Sequence, residues 1–497
     1  MTLCQAQQPH YLAKALKSPE TITRLELVLV KGDRPLKDIA QLKNLKHLRI
    51  TSASRPELYE LTELPNEIGN LKNLETLRIN GGTIITLPKR IGRLTKLKKI
   101  MIQNTHLKSL PEELGKLKNL SYLNLEANHL QALPKSIGKL INLQYLNLKQ
   151  NKLKSLPSTL YTLKHLKKLN IHTNNFFEFP MVVTKLKSLK TLILGMDSTE
   201  TIPSEIGNLK KLENFVLSWS KIKTLPLEFG NLANLKSITI IQTQINFFPN
   251  CITNLKALEE LTYLSNTSRR LPKNIGELRN LEILNLFDNK FRNIPKSIKK
   301  LQKLRILNLG ENLLRSLPEE ITELDNLIKL DLGFNQIEEL PKHIGNLKKL
   351  QFLDLWSNKL KKLPKSLASL DNLVDLNLNK NLLSHLPDSI GNLSKLVKLS
   401  INKNHLQTLP SSFSKLKLLQ NIELEGNSFY SFPQVLLNLP FLKYINLSEN
   451  ELNRLPKTIV NLKRLSRLDL RFNAFDIDLQ KKIKTWWKNK PYQIVDF

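Results

Sequence analysis

A pattern of apolar positions that returns every 23 residues dominates this chain. The stretch 120–143, LSYLNLEANHLQALPKSIGKLINL, contains the pattern once: alternating apolar residues, an Asn, then Leu-Pro and a closing I-G-x-L. Prolines recur at this spacing from Pro65 to Pro456, which makes 18 prolines in one register. A fixed period of this length indicates a solenoid, in which each repeat supplies one supersecondary unit and neighbouring repeats share a continuous core.

Each part of the repeat predicts a local structure. Leu123 and Leu125 alternate with polar residues, which is typical of a half-buried strand. Asn128, and Asn151 one repeat later, follow the strand, where their amides can bind backbone groups of the turn and of the next coil. We expect Pro134 to occupy the first position of a short convex helix, because its fixed φ and missing N–H suit that position.

Stacking these units predicts an α/β solenoid shaped as a horseshoe. Its concave side is a parallel β-sheet of about 20 strands, and its convex side consists of short helices and irregular turns. Residues 1–20 are an expected N-terminal flank or cap, with a short helix over 10–17. The solenoid is expected to span residues 21–475. Residues 476–497 are an expected C-terminal capping helix and tail, the helix being amphipathic over 478–489.

The repeat is interrupted in two ways. About six extra residues fall within Thr51–Glu60 (TSASRPELYE), which we expect to loop out from one face. The Asn position is kept in 13 repeats and is changed at Gly82, Thr105, Asp197, Ser220 and Thr243. The three consecutive departures indicate either a local change of turn geometry or tolerated drift.

The net charge of +33 raises nucleic acid, anionic membranes and acidic proteins as partners. The four variable strand positions of 20 repeats form the predicted concave surface, and these 80 positions hold 12 basic and 12 acidic residues. The excess charge therefore lies elsewhere, which argues against a nucleic-acid groove on the concave face. One interpretation is that the basic convex exterior keeps the protein soluble. The alternative function is charge-driven attachment of this exterior to an anionic polymer or membrane surface.

The two cysteines and the first residues of the chain indicate in which cellular compartment the protein is located. Cys4 and Cys251 lie too far apart in the chain to indicate a disulfide framework. The first residues contain no export signal, and no apolar run is long enough to predict a transmembrane helix, so the sequence as it stands predicts a cytoplasmic protein. Cys4-x-Ala6 nevertheless has the form of a cleavage site. If Met1 is an internal start within a signal peptide, the protein is exported.

The motifs of common enzyme classes are missing from the sequence, which contains no phosphate-binding loop, no H-E-x-x-H, no C-x-x-C and no G-x-S-x-G. His47 and His172 fall at concave positions several strands apart, too far for one metal ion. Asp331 and Asp354 occupy neighbouring strands and would suit an acid–base pair or a cation, although a solvated polar ladder is the favoured interpretation. We therefore predict no enzymatic activity, no cofactor and no metal.

The unit L-x-x-L-x-L-x-x-N-x-L-x-x-L-P-x-x-I-G-x-L resembles the 23-residue leucine-rich repeats of the Ras-suppressor-like group and of large bacterial repeat families. The resemblance covers about residues 21–475. It implies a right-handed arc that binds other proteins, as a signalling scaffold or in contact with a host. The resemblance implies no catalytic residues, and it names no ligand.

A cluster of apolar side chains stands at predicted concave positions between residues 193 and 356. Its members are Ile193, Met196, Val216, Trp219, Ile241, Leu264, Ile283, Phe287, Ile306, Phe334, Phe352 and Trp356. Acidic residues line it at Asp288, Glu311, Asp331, Asp354 and Asp375. Phe287 and Trp356 bracket Gly310 and Gly333, which predicts a shallow pocket between aromatic walls.

An exposed apolar patch rimmed by charge is a usual mark of a protein-binding site, and Trp and Phe are typical anchors. We therefore predict that this cluster binds a protein or peptide with apolar side chains and some basic residues. Two alternatives remain: the side chains pack against each other along the sheet, or they lie under a second copy of the chain. The oligomeric state is not predicted.

Overall fold

The repeats fold into parallel β-strands connected by single turns of 3₁₀ helix. The computed structural model describes residues 11–29, 36–52, 61–195, 198–486 and 494–496, and it divides into two compact units, residues 1–245 and 246–497. The predicted cleavage site at Cys4-x-Ala6, the extra residues of the predicted loop at 53–60, and Met196 lie outside the described residues.

The first unit contains one α-helix, ten strands and ten 3₁₀ helices in its described part. Helix α1 is Tyr11–Ala15. The strands are β1 Arg24–Val28, β2 His47–Thr51, β3 Thr76–Asn80, β4 Lys99–Gln103, β5 Tyr122–Asn124, β6 Tyr145–Asn147, β7 Lys168–Asn170, β8 Thr191–Leu194, β9 Asn214–Ser220 and β10 Ser237–Thr243. The 3₁₀ helices are Pro19–Thr21, Leu36–Gln41, Asn66–Asn70, Lys89–Arg93, Glu112–Lys116, Lys135–Lys139, Ser158–Thr162, Met181–Lys185, Ser204–Asn208 and Leu227–Asn231.

The second unit repeats this organisation with eleven strands, ten 3₁₀ helices and one α-helix among its described residues. The strands are β11 Glu260–Leu264, β12 Ile283–Asn285, β13 Ile306–Asn308, β14 Lys329–Asp331, β15 Phe352–Asp354, β16 Asp375–Asn377, β17 Lys398–Ser400, β18 Asn421–Glu423, β19 Tyr444–Asn446, β20 Arg467–Asp469 and β21 Ile494–Asp496. The 3₁₀ helices are Asn250–Asn254, Ile275–Glu277, Lys296–Lys300, Glu319–Glu323, Ile344–Asn346, Lys365–Ser369, Asp388–Asn392, Ser411–Lys415, Gln434–Asn438 and Lys457–Asn461. Helix α2 is Ile477–Thr485.

Within each unit, neighbouring strands pair in parallel and in register. Leu123 pairs with Leu146 one repeat later, and Leu330 pairs with Leu353 in the second unit. The repeat leucines on one side of the sheet are fully buried and form the core. The residues that alternate with them form the opposite side, which we call the sheet face. Because the register is constant, equivalent positions of successive repeats form continuous rows across the sheet face.

The conserved Asn position connects each repeat to the repeat before it. The Nδ2 group of Asn151 donates to the carbonyl oxygens of Leu125 at 2.9 Å and Leu148 at 3.0 Å, and its Oδ1 accepts from the Leu130 N–H at 3.0 Å. Asn128 makes the same contacts one repeat earlier. The prediction that these amides bind the turn is therefore confirmed, whereas the predicted bonds to the next coil run to the preceding coil instead.

The prolines take a slightly different position from the predicted one. Pro134 has an extended conformation, with φ −64° and ψ 148°, and it precedes the helix Lys135–Lys139 instead of beginning it. Its carbonyl oxygen accepts from the N–H of Ile137 at 3.0 Å, and the carbonyl oxygen of Ile137 accepts from the N–H of Leu140 at 3.2 Å. Bonds between residues three apart define a 3₁₀ helix, because an α-helix requires one further residue per hydrogen bond.

The strands are longest where the Asn position is changed. β9 and β10 each have seven residues and end at Ser220 and Thr243, which pair with each other. Most repeats that keep the Asn have three-residue strands. At Ser220 and Thr243 the strand ladder continues through the Asn position, which changes the local turn geometry there, whereas Asp197 lies outside the described residues.

The described C-terminal end is covered by α2 and β21. Asp476 caps α2 by accepting from the Leu479 N–H at 2.7 Å, and Ile483 is buried. β21 pairs with β20 and places Asp496 3.1 Å from Arg467. The strand was not predicted from sequence. An added strand shields the edge of β20, which would otherwise present unpaired backbone groups.

Candidate functional site

Four aromatic side chains and three carboxylates lie together on the sheet face of the second unit. This aromatic–acidic patch consists of Phe287, Phe334, Phe352, Trp356, Asp331, Asp354 and Asp375. Phe334 and Trp356 pack with ring centroids 4.4 Å apart and planes inclined by 57°. Phe334 remains 40% exposed and Phe352 41% exposed, so both present apolar surface to solvent.

The surface between these side chains is shallow. A Cβ added to Gly310 would lie 3.1 Å from Cδ2 of Phe287, so this ring covers Gly310 and fills part of the predicted pocket. A depression of about 190 Å³ lies instead beside Phe352, where three carboxylates and two ammonium groups line it: Asp331, Asp354, Asp375, Lys329 and Lys398. A depression of this size accommodates a side chain and is too small for a folded element.

Asp331 and Asp354 share a hydrogen-bonding pattern with asparagines of other repeats. The Oδ1 of Asp331 accepts from the Gly333 N–H at 3.1 Å, and the Oδ1 of Asp354 accepts from the Trp356 N–H at 2.8 Å. Asn at the equivalent position accepts the same bond in other repeats, as at Asn124, Asn147, Asn285, Asn308 and Asn377. An amide oxygen therefore makes this bond as well as a carboxylate does, and the bond does not need a negative charge.

The carboxylates are unfavourably placed in the free protein. Burial, followed by the neighbouring carboxylate of Asp354, raises the pKa of Asp331. Burial also raises the pKa of Asp375, to which Asp354 contributes against the opposing effect of Lys398. A cationic group bound in the depression would relieve this repulsion.

The remaining predicted residues of the second unit surround the patch. Leu264, Ile283 and Ile306 are half-buried on the sheet face. Asp288 and Glu311 precede the conserved Asn position and have positive φ, of 53° and 50°. Phe334 shares this conformation with φ 53°, so the left-handed backbone directs these side chains outward at one fixed position of the repeat.

The first unit carries the other predicted apolar residues. Ile193, Val216 and Ile241 are half-buried on β8, β9 and β10. Trp219 is 61% exposed and has a φ of 52°. These residues form an apolar surface without the charged rim of the second unit, since the described residues between them on this part of the sheet face are the uncharged Thr, Asn, Ser, Gly and Gln.

Many lysines outside the sheet face have a structural function. A lysine that follows the core leucine after the 3₁₀ helix donates to the last carbonyl oxygen of the next 3₁₀ helix. Lys118 reaches Lys139 at 2.8 Å and Lys348 reaches Ser369 at 2.7 Å, and the bond recurs at Lys72, Lys210 and Lys417. Part of the high positive charge is thus explained by the capping of carbonyl groups that would otherwise lack a donor.

Sequence reasoning missed a second group on the sheet face. Arg24, His47, Arg49, Arg78 and Lys99 line a depression of about 300 Å³ across β1–β4, together with Glu26 and Thr76. We call this the basic depression. The sequence shows four cations within the first four strands, but a sum of the charge over all repeats does not reveal this local excess of positive charge.

The described ranges contain no cluster of three or more His, Cys, Asp or Glu side chains arranged for a metal ion. Their helices are all too short or too polar to cross a membrane.

Comparison with known proteins agrees with the repeat geometry. A model of the leucine-rich repeat region matches residues 21–121, 109–201, 192–285 and 330–408, and a second leucine-rich repeat model matches residues 279–337. The chain belongs to the leucine-rich-repeat family. This family and fold are typical of non-enzymatic modules that bind other proteins. The resemblance to the Ras-suppressor-like group stays a prediction.

Solved structures of the family extend over most of the chain. A leucine-rich-repeat protein of Leptospira interrogans is 32% identical over 99% of this chain and 100% of that protein, with a TM-score of 0.52. The plant peptide hormone receptor RGFR1, solved in complex with RGF2, is 25% identical over 91% of this chain and 84% of the receptor, with a TM-score of 0.64. An internalin of Listeria monocytogenes, 22% identical over 66% of this chain and 87% of its own with a TM-score of 0.51, shows the fold alone. A search of curated proteins found no match.

Proposed function

We propose that this protein is a non-enzymatic interaction module whose aromatic–acidic patch binds a protein or peptide segment, in signalling or in contact with a host. The segment carries apolar side chains that pack on Phe334, Phe352 and Trp356. It also carries Lys or Arg, whose charge pairs with Asp331 and Asp354.

The carboxylates at Asp331 and Asp354 carry this proposal. Asn provides the required acceptor oxygen at the equivalent position of several other repeats, so the negative charge serves no purpose in the scaffold. The charge is also costly, because burial and the neighbouring carboxylate both oppose ionisation of Asp331. A charge that the fold does not require, beside exposed aromatic rings, favours recognition of a cationic and apolar ligand.

The peptide hormone receptor among the similar structures supports a peptide as ligand. That receptor was solved in complex with RGF2, and its sequence is 25% identical to this chain where the two align. Short depressions on a sheet surface suit an extended segment that places single side chains into them. A charge-driven attachment through the exterior lysines remains the alternative, although several of these lysines cap backbone carbonyls.

The test is selection of peptides from a random displayed library on the purified protein, followed by affinity measurement with the variants. We expect selected peptides to combine aromatic or aliphatic residues with Lys or Arg. Trp356→Ala should weaken their binding about tenfold or more, since a buried aromatic anchor contributes about 2 kcal/mol. Asp331→Asn with Asp354→Asn should remove the preference for basic residues while the fold is kept.

Phe472 provides a matched control for the aromatic position. It stands at the same position of its repeat as Phe334, has a φ of 56° and is 77% exposed. Phe472→Ala should leave binding unchanged and Phe334→Ala should weaken it. Equal effects of the two substitutions, or peptides without basic residues, would contradict the proposal. A sedimentation measurement in which Phe334→Ala dissociates a dimer would instead assign the patch to self-association.

Salt separates the proposal from the charge-driven alternative. Attachment of an anionic polymer through exterior lysines should weaken steeply as salt is raised from about 50 to 200 mM. Binding at the aromatic–acidic patch should change less over this range, because the rings supply most of the affinity.

A further inference from the structure

The basic depression of the first unit differs in charge and chemistry from the aromatic–acidic patch. Glu26, Arg49 and Arg78 form one row across β1–β3, and Arg24, His47, Thr76 and Lys99 form the row beside it across β1–β4. Neighbouring strands lie about 4.8 Å apart. The guanidinium groups of Arg49 and Arg78 therefore arise from directly adjacent backbone positions.

This arrangement leaves most of its cations without an acidic partner. Glu26 approaches Arg49 at 3.9 Å, and both side chains are about half exposed. In the part of the chain that the structure describes, Arg24, Arg78 and Lys99 have no carboxylate within ion-pair distance. Like charges at adjacent strand positions disfavour each other. The depression is thus electropositive in the free protein.

His47 lies within the depression, and the same positive charges contribute to lowering its pKa. Burial, followed by the nearby guanidinium of Arg24, lowers the pKa of His47, and Lys46 and Arg78 act in the same direction against Glu75. The ring is therefore neutral near pH 7 and can accept or donate a hydrogen bond to a ligand.

The fold does not require these cations. At the position of Arg49 and Arg78, the repeats of β5 and β6 have Asn124 and Asn147, which accept a backbone N–H. The side chains of Arg49 and Arg78 cannot accept such a bond, and β2 and β3 continue to Thr51 and Asn80. Arg49 and Arg78 thus occupy the position of these asparagines without accepting the backbone hydrogen bond that the asparagines accept.

We propose that the basic depression binds an acidic segment of a protein ligand, with Asp or Glu side chains seated between the guanidinium groups of Arg49 and Arg78. A guanidinium group binds a carboxylate through two parallel N–H···O bonds, which gives both affinity and orientation. The two rows lie two residues apart along each strand, so an extended segment that runs parallel to the strands brings alternate side chains to the sheet face at the same spacing of about 7 Å. Successive acidic residues on that side meet first Arg49 or Arg78 and then Arg24 or Lys99.

A carboxylate ligand suits the depression better than a nucleic acid does. Its lining contains no Phe, Tyr or Trp, so it provides no platform on which bases would stack. The volume of about 300 Å³ accommodates a few side chains.

The test measures the anisotropy of a fluorescent hexaglutamate peptide with the full-length protein at one fixed, low salt concentration. Hexaglutamine carrying the same label is the uncharged probe, and a six-residue oligothymidylate is the nucleic-acid probe. We expect hexaglutamate to bind and hexaglutamine not to bind. Arg49→Gln with Arg78→Gln should weaken hexaglutamate binding at least tenfold.

The control removes two positive charges from another part of the sheet face. Lys398 and Lys403 lie in the second unit and approach Glu423 and Glu425 at 3.8 and 3.5 Å. Lys398→Gln with Lys403→Gln should leave hexaglutamate binding unchanged. Equal losses in the two double variants would overturn the proposal, because the interaction would then depend on total charge.

A second variant separates lost binding from lost folding. Arg24→Gln with Lys99→Gln keeps the Glu26–Arg49 pair and removes the outer cations, and it should weaken binding several-fold with an unchanged circular dichroism spectrum. Unchanged binding by both depression variants would overturn the proposal. Tighter binding of oligothymidylate than of hexaglutamate, lost in the same variants, would also overturn it in favour of a nucleic-acid site. The two depression variants leave the aromatic–acidic patch untouched, so their outcome is independent of the proposed function.

Discussion

Replacing Asn151 by Ala tests how the row of conserved asparagines holds successive repeats together. The amide of Asn151 serves three buried backbone groups, the carbonyl oxygens of Leu125 and Leu148 and the N–H of Leu130. Each carbonyl oxygen also accepts from a second asparagine: Leu125 from Asn128, and Leu148 from Asn174. Removal of one amide therefore orphans only the Leu130 N–H.

This sharing of acceptors sets the magnitude of the effect. One buried donor without a partner costs about 1–3 kcal/mol, so Asn151→Ala should lower the free energy of unfolding by that amount and not by three times as much. Asn151→Ala combined with Asn174→Ala removes both donors from the Leu148 carbonyl oxygen. The double variant should therefore lose about 1 kcal/mol more than the sum of the single variants.

The measurement is urea unfolding followed by circular dichroism, with the slope of the transition compared among variants to confirm that the same surface unfolds. The matched control combines Asn128→Ala with Asn174→Ala, because these two amides share no acceptor. Their effects should add. Additive effects in both pairs, or an equal coupling in both, would refute the argument that shared carbonyl oxygens connect adjacent repeats.

Three further predictions follow from the sheet face and the chain end. Asp331→Asn should raise the melting temperature at pH 7, because the raised pKa of Asp331 means that its ionised carboxylate destabilises the folded state. The gain should disappear below about pH 3, where Asp331 is protonated in both the folded and the unfolded state. Calorimetry at the two pH values checks the sign. Trp219→Gly should be about 1 kcal/mol more stable to urea than Trp219→Ala, because the φ of 52° strains any residue with a Cβ; equal stabilities would contradict this. Removal of residues 491–497, which include β21, should increase light scattering on storage, since the edge of β20 is then exposed; an unchanged signal would show that α2 alone suffices as a cap.

Most of the fold follows from the sequence because one unit is repeated so often. Leu123, Leu125 and their equivalents recur at one spacing, and a parallel stack is the arrangement that buries them all. The Asn151 side chain was predicted to bind the next coil, and this was wrong. The geometry of the amide alone fits either neighbouring coil. The register that brings Leu130 within reach is a property of the assembled stack.

Features that occur once were harder to predict. The strand β21 comes from a short tail with no repeat to define its position. Pro134 was placed one residue too far into its helix, because the sequence does not distinguish a proline before the first turn from one within it. The lysine caps, such as that of Lys118 on Lys139, depend on a long side chain that reaches into the next repeat.

The alternation of buried and exposed residues in each repeat predicts part of the candidate site. It places Phe334, Phe352 and Trp356 on the sheet face, where the structure has them. It does not give their rotamers, so it could not show that Phe334 packs against Trp356 or that Phe287 covers Gly310. Side-chain packing in three dimensions decides how much of a predicted pocket stays open.

The charge of the sheet face shows why position matters more than the total. Equal numbers of basic and acidic residues over the whole repeat set exclude a uniformly basic groove, but they do not make the surface neutral at any one place. In the first unit, cations gather in the basic depression, and in the second, carboxylates gather in the aromatic–acidic patch. Each site repels the ligand that the other attracts, since unlike charges attract and like charges cost free energy on close approach. Both sites have charged residues where several other repeats have Asn, so substitution by Asn at Arg49, Arg78, Asp331 or Asp354 should remove recognition without removing the fold.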